Sequence, residues 1–71
     1  METIKIKTAM IQLDQFLKWA SVLQSGGEVR ILIEEKKIYV NGVLCTAKRK
    51  KLYDGDIIDI KGIGAYQVIG V

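Results

Sequence analysis

"KIYVNGVLC", residues 37–45, sets two β-rich runs on either side of Asn41-Gly42. That pair tolerates positive φ at both central turn positions, which is what a two-residue type I′ hairpin demands. Ile38, Val40, Val43 and Cys45 are the alternating positions expected to pack together. On the N-terminal side, Ser25-Gly26-Gly27-Glu28 fits the capping box S-x-x-E, with Ser25 as N-cap and Glu28 reaching back. A helix that buries Val29, Leu32 and Ile33 is predicted to follow it. Further upstream, Leu13, Phe16, Leu17, Ala20 and Leu23 recur at i, i+3, i+4, i+7 and i+10, one arc of an earlier helix with Trp19 at its edge. Asp14 suits the positive end of that helix, and "QSGG" (24–27) ends it. "TIKIKT" (3–8) alternates Ile4 and Ile6 with Lys5 and Lys7, the period of a half-buried strand.

On the C-terminal side, Tyr53-Asp54-Gly55-Asp56 reads as a turn and "DIIDI" (56–60) as a strand. "KGIG" (61–64) is a second glycine turn, and "AYQVIGV" (65–71) a last strand. The order β-α-α-β-β-β-β implies an α+β fold: two helices packed on a small, mostly antiparallel sheet, with short N- and C-terminal strands. With 71 residues, 49% of them hydrophobic and 27% charged, the chain is expected to form a single domain, 1–71, around one core.

The composition argues against catalysis. There is no histidine, and the one cysteine, Cys45, falls in a strand with no base to activate it, so it reads as a small apolar core residue. Asp54 and Asp56 flank Gly55 like half a calcium loop, but the later ligands have no counterpart, and turn chemistry explains them better. "GIGAYQ" lacks the third glycine of a dinucleotide fingerprint. The expectation is no enzyme, no cofactor, no metal and no small-molecule substrate. A lone cysteine favours a reducing cytoplasm. "METIKIKTAM" (1–10) has no apolar leader core and no stretch approaches a membrane span, so neither export nor insertion is expected.

Charge is distributed unevenly. The net charge is +3, yet residues 36–51 alone carry +6 through Lys36, Lys37, Lys48, Arg49, Lys50 and Lys51, with no acid among them. "AKRKKLYDGD" (47–56) is open to two readings, a solvated loop or the footprint of a polyanion. Lys36 and Lys37 enter the hairpin while the run 48–51 leaves it, so both groups can flank one edge and release counterions from a phosphate backbone. Gly26 and Gly27 invite a similar pair of readings: close approach of a phosphate to backbone amides at the helix start, or a tight inter-helix turn, with the turn favoured. Trp19, Tyr39, Tyr53 and Tyr66 could stack on bases, but they are dispersed, and packing is the reading favoured for most of them.

At "LDQFLKW", "SGGEVRILIEEKKIYVNG" and "KKLYDGDIID" the chain resembles the RNA-binding domain named after ribosomal small-subunit protein S-four, also called the alphaL motif. The likeness covers roughly residues 12–60, and paired glycines opening the second helix resemble the small stand-alone bacterial members of YaaA type. The resemblance implies two helices on a small sheet, structured RNA, often ribosomal, held across helices and hairpin edge, and no catalysis. It places Lys18 on the exposed side of the first helix and Arg30 at a position commonly cationic, and it aligns Lys50 and Lys51 with basic residues ahead of the G-D turn. The chain departs from the family at Gln12 and Gly26, where arginine is common, at Val29 for alanine, and at Lys36 for a glycine, so Lys36 is expected to adopt positive φ. Together these readings give a non-enzymatic cytoplasmic binder of folded RNA, ribosomal or ribosome-associated. Its contacts are expected from Lys18, Ser25, Gly26, Gly27, Arg30, Lys36, Lys37, Lys48, Arg49, Lys50 and Lys51. The alternatives are a protein-interaction module with an acidic partner and a DNA-binding accessory protein.

Overall fold

A computed structural model describes residues 1–71. Its elements are β1 (Glu2–Lys5), β2 (Met10–Gln12), α1 (Leu13–Trp19), α2 (Gly26–Glu34), β3 (Ile38–Val40), β4 (Val43–Leu44), β5 (Lys51–Tyr53), β6 (Ile57–Ile60) and β7 (Gly64–Ile69). Five strands form one sheet in the order β1-β7-β6-β3-β4, and β2 pairs with β5 in a separate two-stranded ribbon. Only the β1–β7 pair is parallel. The class is therefore the α+β arrangement expected from the sequence: two helices and a mostly antiparallel sheet, with β1 and β7 joining the chain ends side by side.

The hairpin is as its turn residues require. Asn41 and Gly42 have φ of 52° and 81°, and Val40 faces Val43 across the turn. Asn41 does more than tolerate this geometry. Its side-chain amide donates to Asp56 Oδ1 at 3.0 Å while its Oδ1 accepts the Ile57 N–H at 2.9 Å, tying the hairpin tip to β6. Ile38, Val40 and Cys45 are buried as expected, but Val43 is 69% exposed, because β4 is the sheet's edge strand and no strand lies beyond it. Leu32 and Ile33 are likewise only half-buried, packed against the core; Val29 is the residue of α2 that is fully enclosed.

Both helices end by the same device. In α1 the Ser21 N–H donates to the Lys18 carbonyl (3.1 Å) and the Val22 N–H to that of Leu17 (3.0 Å); in α2 Lys36 donates to Ile33 (3.0 Å) and Lys37 to Leu32 (3.0 Å). These are the paired bonds of a Schellman motif, which needs a left-handed residue just past the helix. Here it is supplied by Ser21 and Lys36, both at φ 59°. The positive φ expected for Lys36 is thus present. The first helix is shorter than its periodicity suggested: it stops at Trp19, and Leu23 is buried from the loop beyond it, where its N–H also reaches the Leu17 carbonyl (3.2 Å). At the start of α2, Ser25 Oγ accepts the Glu28 N–H at 3.4 Å, the forward half of the expected capping box.

Thirteen buried apolar residues form one core, drawn from both helices (Leu13, Phe16, Leu17, Val29), the main sheet (Ile38, Val40, Ile58, Ile60, Val68) and the ribbon (Leu52), together with Ile6, Leu23 and Cys45. Cys45 is buried, with its thiol donating to the Ala47 carbonyl at 3.3 Å, which fits the core role read from the sequence. The ribbon is the unexpected element. Residues 48–51 and Tyr53 read as loop and turn, yet Lys51–Tyr53 is a strand because Met10–Gln12 supplies its partner.

The left-handed Lys36 gives a direct test of the helix stop. A side chain in this region costs about 1–2 kcal/mol, partly offset by the chain entropy a glycine would lose. Lys36→Gly should therefore raise stability by roughly 0.5–1 kcal/mol, read as a higher urea midpoint at unchanged slope. A lower midpoint would contradict the left-handed stop.

Candidate nucleic-acid interface

The basic run is a built element. Helix α1 has no side-chain cap at Gln12, so its first N–H groups need other acceptors. They find them in the basic run: Leu13 N–H donates to the Lys50 carbonyl at 2.8 Å and Asp14 N–H to the Lys48 carbonyl at 3.2 Å. Pairing then continues as Gln12 with Lys51, Ile11 with Leu52 and Met10 with Tyr53. With these carbonyls turned toward the helix, the chain of the run is fixed. Leu52 is fully buried, so by strand alternation Lys51 and Tyr53 project from the opposite face, level with Gln12 and Met10.

That outer face forms one wall of a groove of about 710 Å³ whose other wall is the hairpin. Val40, Val43 and Leu44 give it an apolar side, while Lys50, Lys51 and Tyr53 line it from the ribbon. Of the six cations expected to flank the hairpin, only Lys50 and Lys51 line this groove with it. Lys48 and Arg49 lie outside this groove's lining.

Lys48 reaches elsewhere. A Cβ placed on Gly26 would stand 3.0 Å from Lys48 Nζ and 3.2 Å from its Cε, so the lysine side chain crosses directly over the first residue of α2. Neither Gly26 nor Gly27 has positive φ, which corrects the tight-turn reading of that pair: the left-handed residue between the helices is Ser21. Gly26 is explained by the passage of Lys48. Gly27 has nothing closer than Ser25 Oγ at 3.8 Å and remains open. An ammonium group next to a helix N-terminus puts two positive centres together; Glu28 is the acid of that first turn and forms no ion pair with Lys48.

The other candidate cations divide by partner. Arg30 pairs with Glu34 at 3.0 Å and Lys37 with Glu35 at 3.4 Å, both on the surface. Lys36, Lys48, Arg49, Lys50 and Lys51 have no acid within salt-bridge distance. Lys18 is exposed in the last turn of α1, where it complements the helix dipole, and it does not line the groove. Ser25 spends its hydroxyl on the cap. The acids near the groove are also engaged: Asp56 accepts from Asn41 (3.0 Å) and from the Tyr53 N–H (2.8 Å), and Asp54 accepts the Gly70 N–H (2.9 Å). Those bonds account for both aspartates as turn residues, and no group of three or more metal-ligating side chains assembles.

The sequence model of the S4 domain family matches residues 4–69, a longer span than the residues that first suggested the likeness. A protein of Bacillus subtilis (strain 168) described as a probable ribosome maturation protein RlbA is 44% identical over 66 residues, which span 93% of this chain and 93% of that one.

The two glycines at the start of α2 should respond differently to alanine. Gly27→Ala fills open space in a helix and should raise stability by roughly 0.5–1 kcal/mol. Gly26→Ala should gain less, because the Lys48 side chain has to move aside. Equal gains in thermal unfolding would show that Lys48 does not rest on Gly26 in solution.

Proposed function

The chain belongs to the S4 domain family, and on that footing we propose that it binds structured RNA, ribosomal RNA foremost, as a non-catalytic partner of the ribosome or its precursors in the cytoplasm. The observation that carries this reading is the run Lys48 to Lys51: four adjacent cations, none paired with an acid, on a backbone fixed against α1. Solvated cations held in place without counter-charges favour a polyanion, each neutralised phosphate releasing condensed counterions. Lys48 beside the α2 N-terminus suits a phosphate oxygen that accepts from backbone amides at Gly26 and Gly27 while meeting the ammonium group. Arg30 and Lys37, already paired with glutamates, are assigned secondary contacts together with Lys18. The ribosome maturation role in the name of the Bacillus subtilis relative supports the ribosomal destination. The absence of histidine and the burial of the one thiol support a binding role over a catalytic one.

Recognition of folded RNA rests on shape and backbone, since an A-form major groove hides its base edges from side chains. The chain has no helix long and apolar enough to cross a membrane.

Binding measured against salt tests the proposal. If about four to six phosphates are neutralised, log affinity should fall linearly with log salt by roughly 0.7–0.9 per phosphate. The same titration on a DNA duplex of equal charge should show weaker binding at every salt concentration. Replacing Lys48, Arg49, Lys50 and Lys51 together with glutamine should flatten the slope and leave the fold intact, because solvated charges contribute little to stability. A flat slope for the unaltered protein would favour an acidic protein partner, and equal affinity for DNA a general polyanion binder.

The phosphate at α2 has its own test. Gly27→Asp suits the helix dipole in the free protein but repels a bound phosphate, so stability should hold while RNA affinity drops. Unchanged affinity would confine Gly27 to a structural role.

A further inference from the structure

Four aromatic side chains could stack on a base, and three are occupied. Trp19 donates its indole N–H to the Lys5 carbonyl at 2.9 Å and has Lys7 Nζ 5.6 Å from its ring. Tyr39 is covered by Lys61, whose Nζ is 5.1 Å from the ring centroid. Tyr66 packs against the core. Tyr53 is different: it is 52% exposed, its hydroxyl makes no hydrogen bond, no cation covers its ring, and it lines the groove between hairpin and ribbon.

From this we infer that the groove receives one unpaired RNA base, stacked on Tyr53, with Lys50 and Lys51 holding the adjoining phosphates. The inference rests on the RNA-binding reading above and adds to it a preference for RNA that carries an extruded nucleotide over a continuous helix. The lining has the polarity a nucleotide requires. Val40, Val43 and Leu44 make one side apolar, which suits the flat face of a base and disfavours a phosphate, while both lysines come from the ribbon side. A groove of about 710 Å³ falls within the ~300–1,000 Å³ of sites that enclose small organic groups. Lys51 and Tyr53 are two residues apart on one face of β5, so their Cα atoms are spaced by roughly 6–7 Å, and ammonium and ring can address a single nucleotide. A duplex keeps its bases stacked on one another and presents no free π-face, whereas bulges and loops do. The exposure of Val43, unneeded for the hairpin itself, then has a use as the wall opposite Tyr53.

Two RNA hairpins test this, one with a continuous stem and one with a single bulged 2-aminopurine in the same stem. The unaltered protein should bind the bulged RNA more tightly, by roughly tenfold on the scale of base–aromatic stacking, and should quench the 2-aminopurine fluorescence. Tyr53→Phe should keep both effects. Tyr53→Leu should lose both while retaining the affinity for the continuous stem, with the circular dichroism spectrum confirming a folded chain. Equal affinity of the unaltered protein for the two RNAs, without quenching, overturns the stacking inference and leaves the RNA-binding proposal standing. No measurable binding of either RNA overturns both.

Discussion

Two backbone hydrogen bonds hold the basic run against α1: from Leu13 N–H to the Lys50 carbonyl and from Asp14 N–H to the Lys48 carbonyl. The Gln15 N–H at the start of α1 donates to the Asp14 carboxylate, but with no capping side chain at Gln12 the Leu13 and Asp14 N–H groups would lack protein acceptors. A loop of four adjacent cations would repel itself into an extended ensemble. Each need is met by the other. The helix gains acceptors, the run gains a fixed path, and the ribbon of β2 and β5 continues from that junction. Leu52 is carried into the core with Leu13, Phe16 and Leu17, while Lys51 and Tyr53 are carried outward.

The parts of this fold written in local sequence were readable from it. Asn41-Gly42 specifies its turn within four residues, Ser25 its helix start within four, and the alternation of "TIKIKT" and "DIIDI" shows on one strand at a time. Lys36 in place of a glycine gave away its left-handed backbone through the family resemblance. The end of the first helix was not readable, because serine at position 21 does the work usually left to glycine. The ribbon was not readable either. Each of its strands has three residues, too few for a period, and the pairing joins segments about forty positions apart in the chain. Tyr53 was hidden for the same reason, since a residue taken for a turn has no outward face until its partner strand is known.

The division of the charges follows from these placements. Asp54 and Asp56 are drawn into the turn, Glu34 and Glu35 neutralise Arg30 and Lys37, and no acid pairs with Lys48, which lies over Gly26, or with the exposed Arg49, Lys50 and Lys51. On a chain of net charge +3, six cations and no acid fall within residues 36–51, and only Lys37 of the six is paired. The groove adds an apolar wall and an aromatic ring beside Lys50 and Lys51. Phosphate attraction alone would hold any nucleic acid; shape and an unoccupied ring give reasons to hold a folded RNA.

On the proposed reading, the α1-anchored basic run and the hairpin groove form one RNA-binding surface. Residue-resolved NMR of the isotope-labelled protein titrated with a ribosomal RNA fragment tests it most directly. Shifts are expected to concentrate at the start of α2, in the hairpin tip and through Lys48 to Tyr53, with the exposed apolar hollow around Ile31 and Ile63 unmoved. Shifts centred on Ile31 and Ile63, with the basic run unchanged, would contradict it.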